Sequence, residues 1–158
     1  MTQRERAIEV AAADGGSSHG LATHLEAVVA HLTTPLGDHT RLARASIRIV
    51  GDEEMARMHA THSGVEGTTD VLTFVFAAPP EPIETDIAIC RDEAARQAGE
   101  RGITIDRELL LYAVHGLLHA AGFGDATDAD AARMHEEEDR LLTAIGVGAV
   151  YAPRPRIP

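Results

Sequence analysis

Hydrophobic and polar positions alternate along residues 44–50. Ala45, Ile47 and Ile49 fall on one side, and Ser46, Arg48 and Val50 on the other. A period of two marks a half-buried strand. Ala7, Ile8, Glu9 and Val10 repeat the pattern more briefly and predict a first strand, closed by Asp14, Gly15 and Gly16. Over residues 20–36 the period changes. Leu21, Leu25, Val28, Val29 and Leu32 keep helical spacing, and Pro35 with Gly37 marks the expected end. Asp52 is placed as the cap of a short helix through Met55 and Met58. Residues 69–76, rich in β-branched and aromatic side chains, predict a central strand. Pro79, Pro80 and Pro82 then impose a loop that no sheet interior holds. Residues 86–90 predict another strand, running into an amphipathic helix over residues 91–100. Asp106 is expected to cap a helix that Gly122 stops. A last helix is expected over residues 127–145, capped by the run Thr127, Asp128, Ala129, Asp130.

Strands and helices mix without strict alternation, so the expected class is α+β: a mixed sheet of about four strands flanked by helices. One domain over residues 1–152 is expected, followed by a disordered tail at 153–158. A chain of 158 residues with 44% hydrophobic content suits a single core. No stretch approaches the roughly 18–20 apolar residues of a membrane span. Residues 1–16 turn polar too soon for a signal peptide, and Cys90 alone forms no internal disulfide; a cytoplasmic protein is the expectation. The net charge is −11, which disfavours general nucleic-acid binding. All 14 basic residues are arginine, whose fork can still grip phosphate locally. Coding bias is the plainer account of the missing lysine.

The chemistry concentrates in residues 115–125. His115 and His119 are four apart, so on a helix their imidazoles stack on one face and can meet one zinc ion. Gly122 lets the chain turn back, and Asp125 then offers a carboxylate as third ligand. Three protein ligands leave a fourth position open, as catalytic zinc sites do. The plain alternative is a helix with two half-exposed histidines and no metal, which a bare histidine pair often is. Glu108 shares their face two turns earlier and could orient a ligand or stay in water. Leu110, Ala113, Leu117 and Ala121 are expected to form the apolar stripe behind. A zinc peptidase needs a glutamate directly after the first histidine; Gly116 stands there, so a different hydrolase is favoured.

Beyond these residues the chain resembles the YbeY endoribonucleases, bacterial ribosomal RNA maturation factors. His115, Gly116, Leu118, His119, Gly122 and Phe123 match that family's metal motif. Thr69, Asp70, Val71, Leu72, Thr73 and Phe74 match its central strand motif. Asp86, Ile87, Cys90, Glu93 and Ala94 look like its next strand and helix; Glu108, Leu109, Met134, Glu138 and Gly146 extend the likeness over residues 40–147. The resemblance implies a zinc-dependent endoribonuclease specific for single-stranded RNA. It would carry one zinc per chain and act in ribosomal RNA maturation and ribosome quality control, with the small ribosomal subunit as partner. The family's third ligand is histidine where this chain has Asp125, and Ser63 stands where an RNA-contacting arginine is usual; His59 and His62 are nearby substitutes. Those departures keep open a ribosome-associated metal-binding factor with little catalysis.

Asp70 and Asp86 are placed with His115 and His119 among the catalytic candidates, as strand residues able to line the cleft, although such aspartates are as often turn or cap residues. Cys90 reads as a buried strand side chain. His135 and the acidic run 136–139 read as a solvated helix face.

Overall fold

The computed structural model describes residues 7–13 and 19–151. The tail expected at 153–158 and the closing residues Asp14, Gly15 and Gly16 lie outside them. The elements are β1 (Ile8–Ala12), α1 (His19–Val29), β2 (Leu42–Val50), α2 (Asp52–Ser63), β3 (Val71–Ala77), β4 (Ile83–Cys90), α3 (Arg91–Arg101), α4 (Ile105–Ala120) and α5 (Asp128–Ala144). The fold is α+β, as the mixed pattern predicts.

One four-stranded sheet runs in the order β1-β2-β4-β3, with β1–β2 and β2–β4 parallel and β3–β4 antiparallel. The most buried strand, β4, takes an inner place; Ile83, Ile87, Ala88, Ile89 and Cys90 are all buried. β3 is an edge strand and not a central one. Its Val75 and Phe76 are exposed, which its β-branched composition does not reveal.

Helix α4 lies across β3 and β4 and also packs against α1, α3 and α5. It is therefore buried almost all round. Its apolar stripe is wider than four residues, since Leu109, Leu111, Tyr112, Val114 and Leu118 are buried as well. Gly116 explains the close approach. A Cβ there would stand 2.8 and 2.9 Å from Ile87 carbons and 3.1 Å from Thr73 Oγ1. Helix α2 covers the opposite face, where Met55 and Met58 pack with Leu72, Ala88 and Cys90.

Several boundaries differ from expectation, and β4 begins at Ile83 and not at Asp86. Helix α1 stops at Val29 because residues 30–40 fold into a turn. Thr34 N–H donates to the Asp38 carbonyl (2.8 Å) and Gly37 N–H to that of Thr34 (2.9 Å). Asp52 is the first helical residue and not the cap, which is Gly51. Its carboxylate takes Arg96 Nη1 and Nη2 at 2.9 and 2.7 Å, while its own N–H donates to Asp92 Oδ2 at 2.8 Å. The cap of α4 is Thr104 and not Asp106, with Thr104 Oγ1 accepting from Arg107 N–H at 3.1 Å. Thr127 caps α5 as expected. Among the described residues no helix is long and apolar enough to cross a membrane.

Candidate metal centre

Helix α4 ends in a Schellman turn. Phe123 N–H donates to the Leu118 carbonyl (3.0 Å) and Gly122 N–H to that of His119 (3.0 Å), with Gly122 at φ +109°. The turn has two consequences. It leaves the Phe123 carbonyl over His119, whose Nδ1 donates to it at 2.9 Å. It also returns the chain so that Asp125 Oδ2 stands 3.4 Å from His115 Nε2 and 3.3 Å from His119 Nε2.

The two Nε2 atoms are 3.0 Å apart. Each ring spends its Nδ1 proton outward, His115 on Glu138 Oε1 (3.0 Å) and His119 on Phe123. In the neutral rings, two nitrogen lone pairs and a carboxylate oxygen therefore face one point. That is unfavourable unless a cation occupies it. Bonds of 2.0–2.1 Å in a tetrahedral site place neighbouring donors about 3.3–3.4 Å apart, close to the triangle observed. The three side chains can hold a metal ion, and no other such group occurs among the described residues.

Glu138 overturns the solvated-face expectation for residues 136–139. It is fully buried in α5, and its contact fixes the His115 ring and tautomer. The signal was present in the helical phase, because Met134, Glu138 and Leu141 share one buried face. His135 stacks on Tyr151 with ring centroids 3.8 Å apart. In the metal-free site, burial pulls the His115 imidazole down, but Glu138, with charge from Asp70 and Asp125, outweighs it and the net shift is upward. Glu108 is neither in water nor on a ligand. It is buried, with Arg101 Nε 3.3 Å from Oε1, and burial pushes its carboxyl up against that arginine's pull.

Asp70 lies at the start of β3, its Oδ1 accepting Val71 N–H at 2.8 Å, and it lines the space beside the triangle. Asp86 does not join it. Ile87 faces Gly116 of α4, so alternation along β4 sends Asp86 to the opposite face. There it pairs with Arg44 Nη1 at 2.8 Å. Asp86 is thus a surface ion-pair partner remote from the histidines.

Two clefts meet at the triangle and share Thr69, Asp70, His115 and Asp125. One, about 510 Å³, runs between α3, α4 and α5 past Glu93, Arg101, Tyr112 and Tyr151. The other, about 470 Å³, follows β3 past Val71, Thr73 and Val75 to His62. His62 packs edge-on against Phe74 at 4.7 Å. His59 is engaged at Nδ1 by the Gly67 carbonyl (2.9 Å), and the Ser63 hydroxyl donates to the His59 carbonyl (2.8 Å). Ser63 therefore presents no cation there. Cys90 is buried and its thiol is pushed up, first by burial, as fits an inert strand residue. The crowding at Gly116 closes the peptidase reading, since a glutamate side chain there would enter Ile87.

A family model described as Endoribonuclease YbeY matches residues 13–146. Curated relatives of that name include proteins from Moorella thermoacetica (36% identical; 66% of this chain, 74% of that one) and Methylococcus capsulatus (34%; 69% and 75%). One from an Anaeromyxobacter species is 39% identical over 68% of this chain and 57% of its own. Among solved structures, a Thermotoga maritima protein determined in solution superposes with a TM-score of 0.60 at 25% identity, covering 87% of this chain and 88% of that one.

Proposed function

Because this chain belongs to the endoribonuclease YbeY family, we propose that it is a zinc-dependent endoribonuclease acting on single-stranded RNA. Its place would be the cytoplasm, in ribosomal RNA maturation and ribosome quality control, with the small ribosomal subunit as partner. The observation that carries the reading is the triangle of His115 Nε2, His119 Nε2 and Asp125 Oδ2, open towards two clefts.

A bound zinc supplies positive charge against a phosphate and raises the acidity of a water molecule. The remaining work falls to the protein. His115, His119 and Asp125 hold the cation, while Glu138 and the Phe123 carbonyl keep both rings turned inward. Asp70, which lines both clefts beside the triangle, would take the proton of the attacking water. The clefts receive the strand on either side of the bond.

Purified protein should carry about one zinc per chain and cut single-stranded but not duplex RNA. His115→Ala and His119→Ala should lose both properties. Zinc-loaded, folded protein that leaves single-stranded ribosomal RNA precursors intact would sink the proposal. A second reading, a ribosome-bound factor with little catalysis, is favoured by Ser63, whose hydroxyl is spent on its own helix. It requires small-subunit association that survives His119→Ala without any cleavage by the wild type.

A further inference from the structure

The cleft along β3 passes over the sheet's free edge. Cys90 N–H donates to the Asp70 carbonyl and the Thr85 hydroxyl to the Phe74 carbonyl, both at 2.9 Å, so these two residues turn their backbone groups towards β4. Pairing alternates along an antiparallel strand, which sends the N–H and C=O of Thr73 the other way. No strand lies on that side, because β3 ends the sheet. The side chains divide as well. Thr73 meets α4 at Gly116, whereas Phe74 lies on the opposite face with Met58 of α2. His62 packs edge-on against that Phe74 ring, with centroids 4.7 Å apart and planes at 72°. His62 also lines the cleft together with His119 and Asp125. The cleft therefore reaches from the triangle on one face, across the β3 edge, to the end of α2 on the other.

His62 is held in place and unspent. The last turn of α2 carries it, and Gly64, at φ +70°, closes that helix by donating its N–H to the Ala60 carbonyl at 2.9 Å. Among the described residues His62 makes no hydrogen bond and no ion pair. It is the one side chain lining this cleft, apart from the two histidines of the triangle, that carries a nitrogen. His59, one turn earlier, lines neither cleft. We infer that His62 binds the phosphate next to the cleaved bond, donating an imidazole N–H to one of its non-bridging oxygens. The inference rests on the nuclease reading, which seats one phosphate at the triangle. A strand leaving along this cleft crosses the β3 edge and meets His62. The edge between them is uncharged and offers the unpaired N–H and C=O of Thr73, which suit a ribose hydroxyl or a base edge. A neutral imidazole keeps one N–H donor, so the contact needs no fixed positive charge in the cleft.

The test is equilibrium binding of a single-stranded 2′-deoxy hexamer, an uncleaved stand-in for the substrate, to the zinc-loaded protein. His62→Ala should weaken binding at least about fivefold. His62→Gln, which keeps an N–H donor, should recover part of that loss. His62→Arg should bind more tightly than the wild type and steepen the log–log salt slope by about 0.7, the value for one added phosphate contact. Zinc affinity should be the same in all four proteins. No binding by the wild type, unchanged binding in His62→Ala, or an unchanged slope in His62→Arg overturns the inference. So does a loss in His62→Ala that follows a loss of zinc. Cleavage of single-stranded RNA with the same KM in wild type and His62→Ala overturns it while leaving the nuclease reading intact. Binding that depends on His62, without any cleavage by the wild type, does the reverse.

Discussion

Glu138 acts on the metal site through a hydrogen bond to His115 Nδ1, made from a fully buried position. Removing such a carboxylate usually weakens metal binding by about 10- to 100-fold. Glu138→Ala should show a loss of that size in a chelator competition. Glu138→Gln, which keeps an acceptor oxygen, should lose less. The same contact sets a pH dependence. It raises the His115 pKa in the metal-free protein, so zinc must displace a proton held more tightly than on an ordinary imidazole, near pH 6.5. Apparent zinc affinity should fall as pH drops through the raised value, beginning above pH ~6.5. Metal-free stability has the opposite sense. The contribution of protonated His115 is complete below pH ~6.5 and is lost as pH rises through the raised value. Denaturant titrations of the metal-free protein across that window should show the decline, and Glu138→Gln should flatten it. His115, His119 and Asp125 were legible because helical spacing and a glycine turn are local rules. Glu138 needed the further step of noticing an acid on the apolar face of its helix, and Asp86 misled because an aspartate in a strand does not declare which face it takes.

At the scale of elements, two glycines make the site. Gly116 lets α4 seat on the sheet, and Gly122 closes the turn that carries Phe123 and Asp125 to the histidines. Gly116→Ala puts a methyl within 2.8 Å of Ile87 Cγ2 and should cost about 1–3 kcal/mol by denaturant unfolding. Adding Ile87→Val should recover only part of that loss, since valine keeps one of the two crowding carbons. Gly122→Ala forces a side chain onto φ +109°, a strain of about 1–3 kcal/mol. Because the turn also holds the Phe123 carbonyl on His119, this variant should lose zinc affinity as well as stability, whereas Gly116→Ala should mainly lose stability. A Gly122→Ala protein with unchanged zinc affinity would show that the turn is dispensable to the site. Helix phases and the Thr127 cap were readable from periodicity. The caps of α2 and α4 were misplaced because Asp52 and Asp106 are suited to capping, yet each lies inside its helix. The place of β3 at the sheet's edge follows from pairing with β4, which no local pattern encodes.

For the whole molecule, charge is the open quantity, and it leads to a prediction about salt. Most nucleic-acid binders neutralise several phosphates with clustered cations, and affinity for single strands falls with a log–log salt slope of about −0.7 per phosphate. Here the net charge is −11, and the single arginine lining either cleft is already committed to Glu108 and Tyr151. The clefts thus offer a phosphate little beyond the metal site itself, which accounts for roughly one contact. Meanwhile the negative surface repels the strand as a whole, and added salt screens that repulsion. The two effects oppose each other. RNA binding by the zinc-loaded protein should therefore show a slope no steeper than about −0.7, and binding should collapse when the metal is chelated, whatever the salt. A slope of about −3 or steeper would mean that arginines elsewhere on the surface gather into a phosphate track, and that the strand approaches over a face other than the two clefts.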